Sequence, residues 1–358
     1  MNLSVLELAG SAQGMGEEFG ERCREEIGEL YRRRVKGAIR FARLHGRRVT
    51  EEQILGVAEQ CLEPTEAFDP VGYEEFLGIA RGAGLSPAQC YAMQGLTDLR
   101  DVVAFGPHPD DEGCTSFVVG PDRSATGHLL LGQTWDLATD NMPFVRLVHR
   151  RPEGHPQTWS LTLTGCLTLI GINEAGIAVG NTNLHTRDAR VGTQYLTVLH
   201  RALRARSLSE AAESIRKAPR AGAHYYYVGS PENRAVGMEC SAAQSSEVEV
   251  REGAFVHCNH ALSAEIADLE VMPPGPSTLH RQERLGYLME THAGTIGVED
   301  LKSMLSDHDG GDSVSICRHD FKHVSTNATV IMSPATREIH ACRGQPHVGR
   351  WVTRRADG

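Results

Sequence analysis

The 358 residues carry 46 acidic and 36 basic side chains, a net charge of −10. A chain of this length buries a large core as one enlarged domain or as two, and its acidity argues against nucleic acid or an anionic membrane as partner. Nine cysteines without a CxxC pair exclude a simple disulfide framework and fit reduced thiols in a cytoplasm. Met1-Asn2-Leu3-Ser4-Val5 has no basic n-region or apolar run of a secretory signal, and no stretch reaches the length of a membrane span. The C-terminal Arg355-Ala356-Asp357-Gly358 carries no retention or peroxisomal address.

Residues 1 to about 104 read as mostly helical. The span 17–44 has apolar positions at Phe19, Cys23, Ile27, Leu30, Tyr31 and Val35, close to the helical period. Its basic run Arg32, Arg33, Arg34, Lys36 and Arg40 follows Glu21, Glu25, Glu26 and Glu29, as on an exposed mixed-charge helix rather than a phosphate site. Thr50 opens a second helix through Leu62, and Ser86-Pro87 opens another to about Asp101. The segment 105–113 is acidic and rich in breakers, a surface loop.

Short apolar runs between turn residues then predict antiparallel strands over 115–119, 128–133, 144–149, 158–163, 167–172 and 176–180, with a hairpin turn at Asn173-Glu174-Ala175-Gly176. Helices follow over 194–206 and 208–217, and strands over 223–228, 235–239, 247–250 and 254–258. Helices over 277–290 and 298–306 precede strands at 314–316, 328–332 and 338–341. Strands grouped with strands, and helices with helices, imply an α+β layered fold.

Cys114 stands where the loop meets a strand, in Glu112-Gly113-Cys114-Thr115-Ser116. A thiol there can attack the Gly113 carbonyl and form a thioester, which water opens, and glycine tolerates the backbone such a step requires. The product bears a free α-amine of pKa about 8, able to serve as base for its own thiol. No catalytic histidine is then needed. A second dipeptide, Gly165-Cys166, lies in continuous apolar strand text and reads as a buried small hydrophobe.

Five motifs in order extend this reading. They are Gly113-Cys114-Thr115-Ser116, Gly132-Gln133-Thr134-Trp135-Asp136, His257-Cys258-Asn259-His260, Asp307-His308, and Ser315-Ile316-Cys317-Arg318-His319. With the helical leader and Gly171-Ile172-Asn173-Glu174-Ala175-Gly176, the chain resembles the isopenicillin-N acyltransferase (acyl-CoA:6-aminopenicillanic acid acyltransferase) family of autoproteolytic N-terminal-nucleophile hydrolases. The resemblance implies a four-layer αββα sandwich of antiparallel sheets. It also implies cleavage into a 1–113 prosegment and a 114–358 catalytic chain that stay together. By the same resemblance Cys114 is the nucleophile, Asp136 the carboxylate beside the new amino terminus, and Asn259 the oxyanion donor, a role worth on the order of 3 kcal/mol.

Ser116, grouped by the same resemblance with the catalytic residues, keeps a hydroxyl where relatives carry Ser or Thr. Thr134 stands where they commonly carry Asn. Arg318 is a candidate to bind a substrate carboxylate, and Trp135, Leu169, Ile170 and Asn181 are pocket candidates. The reading calls for no cofactor and no metal. It takes as partners a small N-acyl amide or short peptide, an acyl-CoA or amine acceptor, and the prosegment itself.

Three rival readings stay open. A metal site would draw on His257-Cys258-Asn259-His260 and His308-Asp309-Gly310-Gly311-Asp312, although strand alternation puts His257 and Asn259 on one face and Cys258 and His260 on the other. A papain-like peptidase would pair Cys114 with His257 or His260. A non-enzymatic binding protein would leave Cys114 inert and the chain uncleaved.

Overall fold

The computed structural model describes residues 2–103, 113–319 and 323–358, and in it the helical leader opens on a strand. In β1 (Ser4–Gly10), Leu6 and Leu8 turn inward, and the strand pairs in parallel with β4. The expected helix over 17–44 breaks at Cys23 into α1 (Ala12–Arg22) and α2 (Arg24–Leu44). The break lets α1 lie along a helix absent from the sequence reading, α4 (Pro70–Ala83). Between them runs α3 (Glu51–Phe68), whose capping box at Thr50 and Gln53 matches its sequence signal. Ser86 likewise caps α5 (Pro87–Gln94), which stops at Gly95 before α6 (Leu96–Val103). The acidic loop over 105–112 lies outside the described residues.

The strands continue as β2 (Gly113–Val119), β3 (Leu130–Ala138), β4 (Val145–Pro152), β5 (Thr158–Leu163), β6 (Ile170–Asn173) and β7 (Ala178–Leu184). After α7 (Tyr195–Leu203) and α8 (Leu208–Lys217) come β8 (Ala223–Ser230), β9 (Arg234–Cys240), β10 (Ser245–Val250) and β11 (Ala254–His257). The chain closes with α9 (Ala264–Ala267), α10 (Pro276–Thr291), α11 (Val298–Leu305), β12 (Val324–Ser333), β13 (Glu338–Arg343) and β14 (Trp351–Arg355). The sequence reading left β14 out. It also placed a strand at 314–316, which is a buried loop: Ser315 N–H bonds Gly311 O and Cys317 N–H bonds Asp307 O, so no sheet partner is needed.

Two sheets result, with orders β1-β4-β5-β6-β7-β8-β9-β10 and β11-β2-β3-β12-β13-β14. Among the described residues the paired strands of both sheets run antiparallel except β1 with β4. Alternation along the smaller sheet divides its side chains between two cores. Val118, Leu131 and Val330 join the core between the sheets, while Phe117, Leu130 and Ile331 pack with Leu285 and Met289 of α10 and Leu301 of α11. Helices α7 and α8 cover the larger sheet, giving the expected αββα order.

The leader shares this core. Glu75 of α4 and Arg150 of β4 form a buried ion pair at 2.7 Å. Burial opposes the charge, but Arg150 and His200 hold the Glu75 carboxyl down at about 2. Among the described residues no helix is long and apolar enough to cross a membrane.

Candidate active site

β2 lies between β3 and β11, and that register gathers the site: Gly113 faces Asp136, Cys114 faces Trp135, and Ser116 faces His257. Just past β11 the chain turns and is fastened to α10, where Thr278 Oγ1 accepts from Asn259 N–H at 2.8 Å and Gln282 Oε1 accepts from Cys258 N–H at 3.1 Å. This fastening brings the Asn259 side chain onto Cys114. Its Oδ1 accepts the Cys114 backbone N–H at 2.7 Å, while its Nδ2 donates to Asn183 O of β7 at 2.9 Å. An amide nitrogen has two hydrogens, so one remains for an oxyanion.

Arg281, which the sequence reading missed, completes the ring. It is fully buried, and its guanidinium donates to Cys114 O, to Thr115 Oγ1 at 3.0 Å and to Asn259 Oδ1 at 3.0 Å. A signal for it existed. In α10 the inward positions Ser277, Arg281, Leu285 and Met289 fall four apart, so a cation sits on the apolar stripe of an amphipathic helix. The same guanidinium explains Gly113, where a Cβ would come 2.5 Å from Arg281 Nη2. The glycine is required by close approach, not by a left-handed backbone.

Asp136 is buried beside this ring. Its Oδ1 accepts from Thr326 Oγ1 at 2.7 Å, and Oδ2 has no hydrogen-bond partner. Burial pushes the carboxyl up to about 6, with Arg281 and then Arg318 pulling the other way. Burial and the Asp136 charge push the Cys114 thiol up to about 12. Cys114 is therefore a neutral thiol next to a carboxyl whose ionisation is raised toward neutrality.

Cys114, Asp136 and Asn259 line one cavity of about 110 Å³, with Trp135, Leu137, Leu169, Asn181 and Tyr195. Thr97 of the leader also lines it, and leader acids reach its histidines: Asp98 Oδ1 lies 2.6 Å from His224 Nε2, and Asp101 Oδ1 lies 3.8 Å from His185 Nε2. Glu270, at the same cavity, is pushed up to about 7 by burial.

Trp135 thus stands at the cavity as expected. Ser116, Ile170 and Arg318 do not line it. Ser116 Oγ donates to His257 O at 2.7 Å, tying β2 to β11. Arg318 is fully buried behind Asp136, its backbone N–H on Thr326 Oγ1 at 2.9 Å. Thr134 Oγ1 accepts from Thr115 N–H at 3.2 Å.

The cluster at 257–260 does not converge on a metal. His257 Nε2 faces Glu239 Oε1 at 2.8 Å, with its ring stacked on Tyr225, and His260 Nδ1 faces Thr278 Oγ1 at 2.9 Å. Neither ring lines the cavity that holds Cys114, which removes the pairing a papain-like site needs.

The family model described as acyl-coenzyme A:6-aminopenicillanic acid acyl-transferase matches residues 123–348, a span that holds Asp136, Asn259, Arg281 and Arg318 and begins past Cys114. The acyl-coenzyme A:6-aminopenicillanic-acid-acyltransferase 40 kDa form of Emericella nidulans is 27% identical over 318 residues, 86% of this chain and 83% of that protein. Among solved structures, a mutant conjugated bile acid hydrolase from Clostridium perfringens aligns with TM-score 0.44 at 10% identity, over 68% of this chain and 94% of its own. Penicillin V acylase from Agrobacterium tumefaciens aligns with TM-score 0.44 at 13% identity, over 64% and 83%.

Proposed function

The chain belongs to the acyl-coenzyme A:6-aminopenicillanic acid acyl-transferase family, and from that premise we propose that it cleaves itself before Cys114 and then carries acyl groups on the Cys114 thiol. The observation that carries the proposal is the Asn259–Arg281 ring on Cys114, with Asp136 beside it, at the wall of a cavity that Gly113 and Cys114 both line.

In the intact chain the Cys114 sulfur attacks the Gly113 carbonyl carbon while Asp136 Oδ2 receives the thiol proton. The C–N bond breaks, that proton passes to the departing nitrogen, and water hydrolyses the thioester to leave a Gly113 carboxylate and a free Cys114. The new α-amine is a base of pKa about 8, and its ammonium form beside the sulfur draws the thiol down from its precursor value. Asp136 orients the amine. Asn259 Oδ1, which accepts the peptide N–H in the precursor, accepts from the amine afterwards, and the remaining Nδ2 hydrogen faces the oxyanion.

The substrate is a small N-acyl amide, a short peptide or an acyl-CoA, with water or an amine as acceptor. The apolar walls Trp135, Leu169 and Tyr195 suit an acyl chain, and Asn181 and Asn183, whose Oδ1 atoms have no hydrogen-bond partner, suit its amide end. Nine free thiols accord with a cytoplasmic setting.

The leader stays bound after cleavage, since Thr97, Asp98 and Asp101 belong to the cavity's wall and its support. Incubation with acyl donors followed by acid quench and mass analysis tests the carrier role. An acyl adduct on the fragment that begins at Cys114 is expected, and turnover without any adduct at Cys114, in the quench or on digestion, overturns it.

A further inference from the structure

Away from the cavity, four side chains from three separate segments point at one spot. His308 follows α11, Cys317 and His319 lie in the loop before β12, and His347 sits between β13 and β14. Their ligand atoms all lie within 4.8 Å of one another. Cys317 Sγ is 3.6 Å from His347 Nδ1 and 3.8 Å from His319 Nε2, and His308 Nε2 meets His319 Nε2 in closer contact than an ordinary hydrogen bond. Zinc–ligand distances of about 2.0–2.3 Å put the corners of a tetrahedron about 3.3–3.6 Å apart, close to the two sulfur–nitrogen separations; the His308 and His319 nitrogens would have to part to admit an ion. Both contacts of Cys317 Sγ run to imidazole nitrogens from separate segments, a convergence that a cation at the centre would draw together.

We propose that His308, Cys317, His319 and His347 form a structural zinc site. One thiolate and three imidazoles are a borderline-soft set that selects Zn²⁺ over Mg²⁺ or Ca²⁺. Four protein ligands leave no open position for water, so the ion is structural rather than catalytic. Binding ionises the Cys317 thiol and releases its proton to solvent.

The placement gives the ion a task. Cys317 and His319 flank Arg318, whose backbone N–H bonds Thr326 Oγ1, and that hydroxyl bonds Asp136. The ion thus pins the loop that buries Arg318 behind the catalytic carboxylate. The sequence reading weighed a metal at 257–260 together with 308–312; of those two segments only His308 belongs to this cluster.

The site is tested by binding alone, so its failure is distinct from that of the acyl-transfer reading. Full-length protein stripped by a chelator is titrated with Zn²⁺ and with Co²⁺. One equivalent of zinc is expected, with the intense visible bands of tetrahedral cobalt and a sulfur-to-cobalt charge-transfer band in the near ultraviolet. Cys317→Ser should abolish the charge-transfer band. His347→Ala, at an exposed position, should weaken zinc binding at least about a hundredfold while the near-ultraviolet circular dichroism of the fold persists; His292→Ala, outside the cluster, should bind as wild type. Absence of stoichiometric zinc binding, a cobalt adduct lacking the sulfur band, or unchanged affinity in His347→Ala would each overturn the site.

Discussion

The chain holds two Gly-Cys dipeptides, and almost every bulk property is shared between them. Cys114 and Cys166 are both buried, and burial pushes both thiols up to about 12. Both glycines are crowded, Gly113 by Arg281 and Gly165 by Ile27. The surroundings differ. Gly165 lies in a turn at φ +70, where Gln94 Nε2 and Arg150 Nη2 donate to the carbonyls of Gly165 and Cys166, and Cys166 does not line the cavity that holds Cys114. Cys114 has a carboxylate with a spare oxygen, an amide on its own N–H, and open space. Burial and thiol acidity do not distinguish the proposed nucleophile from Cys166; the partners and the cavity do.

The largest contrast should come from the cysteines themselves. Cys114→Ala is expected to remain full length and to form no acyl adduct, whereas Cys166→Ala should process and turn over normally at a stability loss of about 1 kcal/mol; intact-mass analysis and thermal melts check both. Asn259→Ala should lower single-turnover acylation by about a hundredfold or more, and near-normal rates would remove it from the oxyanion role.

The glycines should split by kind. Gly113→Ala forces its Cβ against Arg281 and should slow processing on a mass-spectrometric time course. Gly165→Ala puts a side chain at positive φ against Ile27 and should instead lower the melting temperature while processing proceeds. The smallest effect is one of shape. With Asp136 proposed to act as carboxylate and its pKa raised to about 6, wild-type processing should rise as pH passes upward through about 6, and Asp136→Asn should lose that limb.

Local signals in the sequence were read well. Thr50 and Ser86 announce their capping boxes, and β5 and α8 fall where periodicity places them. Elements defined by distant partners were not. β1 is a strand because β4, more than a hundred residues on, offers an edge, and β14, with exposed Thr353, Arg354 and Arg355, has β13 as its strand partner among the described residues. The site divides the same way. Cys114, Asp136 and Asn259 stand in recognisable motifs, but Arg281 and Thr326 act through contacts that only the folded chain creates. The turn that carries Asn259 off the strand made the alternation argument for 257–260 inapplicable beyond His257.

The central claim, that Gly113-Cys114 is a self-cleaving bond and Gly165-Cys166 a packing feature, is tested most directly by N-terminal sequencing and intact mass of purified wild-type protein. The account predicts two associated fragments of 113 and 358 − 113 = 245 residues, the larger beginning at Cys114. A single intact chain that is nonetheless active on acyl donors, or a new terminus at any other residue, would contradict it.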